Sequence, residues 1–182
     1  MSKVVVPFTA VVLFAVSIWA QDKTKDRVEQ IETSTMEPVA APAAVCSFVD
    51  GNQMSVRYQR RPVVHSEELP NGRPWPVRGS LFLFTPVALT VGNFSIPVGA
   101  FSLFVFPGHD KWTLIVNKNL IEGATYDETQ DLLRIPMNVV NVGELGQPAP
   151  ELAVSFAHVA PKQCNLRLYY GKTGSWAEFR EP

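Results

Sequence analysis

Apolar residues along this chain alternate with polar ones or form short runs, and Gly, Pro, Asn and Asp interrupt them at intervals too short for helices. The clearest case is a hairpin, in which the alternating segments 45–49 and 54–59 flank the turn sequence Asp-Gly-Asn at 50–52. The segment 101–106 is apolar at every position except Ser102, which predicts a strand buried on both faces. These patterns are typical of a β-protein.

Further strand-like segments follow at intervals that suit hairpins, so we expect neighbouring strands to pair antiparallel. They are 81–84, 88–91, 94–96, 101–106, 112–117, 133–139, 152–156, 166–170 and 176–179. Pro136 has no backbone N–H, so its segment is predicted to be an edge strand or to contain a bulge. We expect about nine or ten short strands and no long helix, which predicts an all-β fold, namely an antiparallel, jelly-roll-like β-sandwich.

The N-terminal part of the chain differs in pattern from the rest. A positive charge, an apolar stretch at 4–16 and the small residue Ala20 are typical of a signal peptide, so we expect residues 1–20 to be cleaved. The alternative is a retained membrane anchor, but the stretch is shorter than the roughly 20 residues that a span requires. Residues 21–44 mix charges with Pro and Ala, which predicts a disordered tether before a single domain at 45–182. We therefore expect an exported protein, periplasmic or extracellular, with no membrane span after cleavage.

Cys46 and Cys164 are the only cysteines in the sequence. An exported chain with two thiols permits one intramolecular pairing, so we predict a disulfide that holds the first strand beside a late one. The alternative is two separate buried thiols. The predicted bridge would also protect one edge of the sheet.

Composition and charge limit the classes of partner. The chain has 182 residues, of which 46% are hydrophobic, and this is enough for one core. Its net charge is −1, and the 16 basic residues do not gather into a block. We therefore expect no nucleic-acid partner.

Two segments carry the most specific pattern of the chain, VGNFSIPVGAFSLFVFPGHDKWTLIVNKN at 91–119 and TYDETQDLLRIPM at 125–137. They resemble the bacterial exported family catalogued as domain of unknown function 2911, and the likeness runs from about Val45 to the C-terminus. The resemblance implies an extracytoplasmic β-domain and no particular activity. Many members carry a Trp-Arg-Thr-Gly-Ala-Asn-Glu run where this chain has NGRPWPVRGS at 71–80, so a polar site built on that Asn-Glu pair is not implied here.

The sequence contains no catalytic, metal or nucleotide motif. His65, His109 and His158 are far apart without metal-type spacing, and no G-x-S-x-G sequence marks a nucleophile. We therefore predict no metal, cofactor or catalytic residue. Asp127, Glu128 and Asp131 are interpreted as solvated loop charges. One alternative is that Asp127 and Asp131 accept backbone N–H groups in a turn, and another is that two of the three carboxylates form a catalytic pair.

The candidate ligand-binding set is aromatic and basic. It comprises Arg73, Trp75 and Arg78 in the Pro-rich connection 60–80, Lys118 and Tyr126 in the polar connection 118–131, and His158. Such groups can stack on a sugar or hold an anion. The alternative is that Trp75 closes the end of the fold while the arginines face water.

The function we expect is that of a non-enzymatic binding or envelope-interaction module, with an unidentified small ligand or envelope partner. The absence of motifs is its main support. The alternative is a jelly-roll-type hydrolase or isomerase acting on a small or carbohydrate-like ligand, with carboxylates or His158 in a mouth between the sheets.

Overall fold

The computed structural model describes residues 41–63, 72–76, 79–108, 110–141 and 148–182. Their strands are β1 (Ala43–Ser47), β2 (Gln53–Tyr58), β3 (Leu81–Thr85), β4 (Leu89–Val91), β5 (Phe94–Ile96), β6 (Gly99–Phe106), β7 (Trp112–Asn117), β8 (Asp131–Asn141), β9 (Ala149–Ala160), β10 (Gln163–Gly171) and β11 (Thr173–Arg180). A single 3₁₀ turn at Glu128–Gln130 precedes β8 in this part of the chain. The predicted all-β fold is confirmed, and every strand pair is antiparallel.

The domain boundaries can be compared only in part. β1 begins at Ala43, inside the segment predicted to be the end of the tether. The predicted signal peptide and the tether up to residue 40 lie outside the described residues. Within the described ranges, no helix has the length and apolar character needed to cross a membrane.

The strands follow one path, β1-β2-β3-β6-β7-β8-β11-β10-β9, and the β4–β5 hairpin is attached to β11. β8 belongs to both halves of this path, because residues 131–137 pair with β7 and residues 138–141 pair with β11. The sheet therefore turns at β8 and nearly closes into a barrel-like shape.

The seam between β1 and β9 lacks a regular ladder. The path contains nine strands, and each runs antiparallel to the next. The first strand, β1, and the last, β9, therefore run in the same direction and cannot pair as the neighbouring hairpin strands do. The backbone N–H of Val49 donates to the carbonyl of Pro161 at 3.0 Å, and Pro62 forms an isolated bridge with Glu151 further along β9. A few local bonds therefore replace a full ladder at this seam.

The predicted disulfide between Cys46 and Cys164 is confirmed and lies beside the seam. It joins β1 to β10, both cysteines are buried, and it closes a span of 118 residues. The chain-entropy description of such a span gives about 4 to 5 kcal/mol of stabilisation. The covalent bond thus supports the part of the barrel where backbone pairing is weakest.

β6 is buried on both faces, as predicted. Its inward side chains in the main core include Phe101, Leu103 and Val105. On its outer face, Phe104 pairs in register with Ile115 of β7, and both are buried although neither belongs to the main core. The connection 118–130 covers this face and rests an aromatic ring on Phe104.

Pro136 predicted an edge strand or a bulge, and the edge alternative is wrong for the strand as a whole, because β8 has hydrogen-bonded neighbours on both sides. β8 does contain a register irregularity against β7, but it lies near Leu133 and not at the proline. Pro136 lies opposite Thr113 of β7, whereas the register with β11 begins only at Asn138. The proline therefore occupies a position where one side of β8 has no strand partner. A missing N–H is tolerated at such a position.

Candidate functional site

Three of the predicted ligand-binding residues come from the Pro-rich connection, and their environments differ. Trp75 exchanges two backbone hydrogen bonds with Val105 of β6, each 2.6 Å long. Its ring is buried, 5.1 Å from the ring of Tyr170 between centroids, and belongs to the main core. Arg73 is exposed, and Arg78 lies outside the described residues. Trp75 therefore acts here as a packing residue.

The structure separates Trp75 from Tyr126. Tyr126 meets Phe104 on the outer face in an edge-to-face contact, with 5.0 Å between ring centroids. Since Phe104 and Val105 are neighbours on one strand, their side chains point to opposite faces of the sheet. Lys118 is exposed, and its backbone N–H donates to Gln130.

His158 is exposed on β9 and lies opposite Cys164 of β10 in register. At about 3.3 Å per residue, this position is roughly 20 Å along β10 from Tyr170, which contacts Trp75. The described members of the predicted set are therefore not gathered into one site in the structure.

The polar groups of the second connection form a compact network around Asp131. The Tyr126 hydroxyl donates to Asp131 Oδ2 at 2.7 Å and accepts from Arg134 Nη2 at 2.8 Å. Arg134 Nε also donates to Asp131 Oδ2 at 2.8 Å. The other carboxylate oxygen accepts from Asn117 Nδ2 at 2.9 Å. Both oxygens of Asp131 are thus occupied by side-chain donors.

Asn117 and Asp127 extend this network into the backbone. Asn117 is fully buried and donates to the carbonyl of Asp127 at 2.8 Å. Asp127 caps the 3₁₀ turn by accepting the backbone N–H of Thr129 at 3.0 Å, as the turn alternative predicts. Asp131 differs from that alternative, because its recorded partners are side chains. The segment TYDETQDLLRIPM stood out in the sequence, but the side chains that bind the Asp131 carboxylate could not be identified from it.

The electrostatics of the network favour a structural role. Burial, followed by the hydrogen bond to Asp131, raises the pKa of Tyr126 to about 12, although Arg134 acts in the opposite direction. The hydrogen bond to Asp131 raises the pKa of Arg134, and hydrogen bonds from Thr129 lower the pKa of Asp127. At neutral pH the Tyr126 phenol is therefore protonated and donates its hydrogen bond to Asp131.

A groove opens where β8 and β11 separate. Their register ends at the pair Asn138 and Trp176, and beyond it the β4–β5 hairpin is held beside β11 through the pairing of Thr90 with Arg180. The resulting cavity has a volume of about 430 Å³. We call it the β8–β11 groove, and the lining residues that matter here are Asn93, Phe94, Pro136, Asn138, Trp176 and Glu178.

The groove combines aromatic surface with neutral polar groups. Phe94 is 43% exposed and Trp176 is half-buried, while Asn93 and Asn138 are exposed. Glu178 accepts hydrogen bonds from Gln163 and Arg180, at 2.5 and 2.6 Å, so its charge is compensated. Among the described lining residues there is no Lys, Arg or His. Sequence reasoning missed this groove because Phe94 and Trp176 looked like ordinary strand residues.

Residues 41–178 match the model of the family described as "Protein of unknown function (DUF2911)". No curated protein and no solved structure matches the chain.

Proposed function

Because the chain belongs to the family described as protein of unknown function (DUF2911), which comes with no activity, we propose a function from the geometry: a non-enzymatic, exported binding module whose ligand occupies the β8–β11 groove. The observation that carries the proposal is that the exposed Phe94 and the half-buried Trp176 line the same cavity of about 430 Å³. Ligand sites are typically concave and aromatic, with a few polar groups that fix orientation.

The chemistry of the lining favours a neutral ligand that has both an apolar face and hydroxyl or amide groups. Aromatic rings provide a stacking surface, and the exposed amides of Asn93 and Asn138 can each donate and accept hydrogen bonds. Since the one lining carboxylate, Glu178, is already paired, no strong charge selects an ionic ligand. A carbohydrate-like molecule fits this description best.

Export is supported by two independent features. The N-terminal sequence has the pattern of a signal peptide. The disulfide between Cys46 and Cys164 suits an oxidising compartment such as the periplasm or the extracellular space. A partner in the cell envelope is the corresponding alternative to a soluble ligand.

The proposal is tested by titrating the purified protein with a panel of neutral oligosaccharides while its tryptophan fluorescence is followed. We expect a saturable change from Trp176, which is absent in Trp176→Phe. Phe94→Ala should weaken binding about fivefold or more, since stacking on a ring contributes about 1 kcal/mol or more. The matched control is Ile121→Ala, which removes an exposed apolar side chain outside the groove.

Equal affinity in Phe94→Ala and the parent protein would reject the groove as the site. Absence of saturable binding across the panel would reject the carbohydrate-like ligand class. The melting temperatures of Phe94→Ala and Ile121→Ala should stay close to that of the parent, because both side chains are exposed.

The candidate set Arg73, Trp75, Arg78, Lys118, Tyr126 and His158 stays a prediction. The enzymatic alternative predicted His158 with two carboxylates in one open cavity. The described lining of the β8–β11 groove has one carboxylate and no histidine, so no observation there favours a hydrolase or isomerase.

A further inference from the structure

A second site lies where the β1–β2 turn meets the chain after β11. Asn52 Nδ2 donates to Asp50 Oδ2 at 2.9 Å and to Glu181 Oε1 at 2.8 Å. Because both carboxylates share one donor nitrogen, these two oxygens lie within about 6 Å of each other. Two acidic side chains from opposite ends of the sequence are thus brought together.

One oxygen of this pair has no partner. Glu181 is only 8% exposed, and its Oε2 is buried without a hydrogen bond in the described structure. Among the described residues neither carboxylate forms a salt bridge, and the nearby Lys162 instead donates to the carbonyl of Pro182 at 2.6 Å. A buried carboxylate oxygen without a donor is costly, and a second carboxylate close by increases the cost.

We propose that Asp50, Asn52 and Glu181 form a site for a hard divalent cation, with Ca²⁺ as the preferred ion. Carboxylate and amide oxygens are the ligands that Ca²⁺ uses, and its flexible coordination accepts an incomplete protein shell completed by water. Rotation of the Asn52 amide would place Oδ1 toward the ion while the backbone N–H of Asn52 still donates to Asp50. The exposed side of Asp50 leaves an entry path from solvent.

The site lies where a bound cation would stabilise one end of the seam between β1 and β9. The chain around Glu181 is held by a hydrogen bond from its N–H to Lys162, and the neighbouring Pro161 accepts the bond from Val49 that crosses the seam. A cation joining Asp50 to Glu181 would therefore brace the same end of the barrel seam. Together with the disulfide, it would compensate for the missing ladder between β1 and β9.

The test measures melting temperature and bound metal in the purified, oxidised protein. Calcium chloride is titrated after treatment with a chelator, with Mg²⁺ and Na⁺ at matched ionic strength in parallel. We expect saturation at about 10⁻⁴ to 10⁻³ M Ca²⁺, as in extracellular modules. At ten times the Kd the melting temperature should rise by about 3 to 5 °C, and equilibrium dialysis at that calcium concentration should show about one bound calcium per chain by elemental analysis.

Glu181→Gln should raise the apparent Kd for calcium about tenfold or more, and Asp50→Asn, on the exposed turn, serves as a second variant that preserves the core. Glu122→Gln is the matched control, since it removes the same charge from an exposed carboxylate bonded to Gln59.

No calcium-dependent shift in the parent protein, or an equal shift in Glu181→Gln, would overturn the proposal. So would a parent protein that is stabilised only by lowering the pH, because a shared proton would then explain the pair. The site is independent of the groove, so either proposal can fail alone.

Discussion

The outer face of β6 and the β8–β11 groove are two places where aromatic residues reach the surface of the same sheet. At β6, Phe104 is 3% exposed because the connection 118–130 crosses over it and closes its own polar groups. At the groove, Phe94 is 43% exposed, and the turn between β4 and β5 consists only of residues 92–93. The comparison teaches that the length and hydrogen bonding of the covering connection decide whether an aromatic face becomes core or contact surface.

The two tryptophans near these regions repeat the contrast. Trp75 is held against β6 by two backbone hydrogen bonds and packs inward on Tyr170. Trp176 lies in β11 at the last residue pair before β8 separates, and it stays half-buried. Burial of a ring therefore follows from the strand partner beside it: Trp75 is packed into the core, whereas Trp176 stays partly accessible in the β8–β11 groove.

The largest expected effect is a difference in stability between variants of the two phenylalanines. Phe104→Ala should lower the free energy of unfolding by about 3 to 5 kcal/mol, because it leaves a cavity beneath the covering connection. Phe94→Ala should change it by about 0.5 kcal/mol or less. Urea unfolding followed by circular dichroism measures both values. Equal losses would mean that the two faces are packed alike and that the groove is not open.

A smaller effect is expected from removing the centre of the polar network. Asp131→Ala deprives Asn117, Tyr126 and Arg134 of an acceptor, and the fully buried Asn117 amide loses one of its two acceptors. We expect a loss of about 1 to 3 kcal/mol in the free energy of unfolding. Asp110→Ala, at an exposed position, is the control and should stay within about 0.5 kcal/mol of the parent. An Asp131→Ala variant as stable as the control would show that the network does not stabilise the connection 118–130.

The smallest expected effect is the pH dependence of the stability that Tyr126 contributes to the covering connection. The pKa of Tyr126 is raised from 10.0 to about 12, so folding favours the neutral phenol. Its contribution should be complete below pH 10 and should be lost as the pH rises from 10 to about 12. Tyr126→Phe should cost about 1 kcal/mol at neutral pH and should remove this alkaline decline.

The same experiment has a spectroscopic readout. In the ultraviolet absorbance of phenolate, the parent should show a component near pH 12 that is lost in Tyr126→Phe. Ionisation of Tyr126 near pH 10 would contradict the part-buried hydrogen bond from its hydroxyl to Asp131.

Much of the fold could be predicted because its signals are local. Alternation and turn residues located the strands, and the run 101–106 predicted burial of both faces of β6 before any contact was known. The pairing of Cys46 with Cys164 followed from there being only two cysteines. The edge alternative inferred from Pro136 was wrong, because a proline shows where an N–H is missing but not how far each neighbouring strand extends.

The sequence by itself determined the strand positions, the antiparallel hairpins and the disulfide, since each depends on residues close in the chain or on a pairing without alternatives. Only the tertiary structure decided that Trp75 points inward, that Phe94 remains exposed and that Asp50 meets Glu181. These outcomes depend on where β8 leaves β7 for β11 and on how the ends of the sheet approach each other. Such approaches join residues far apart in the chain, and no local periodicity records them.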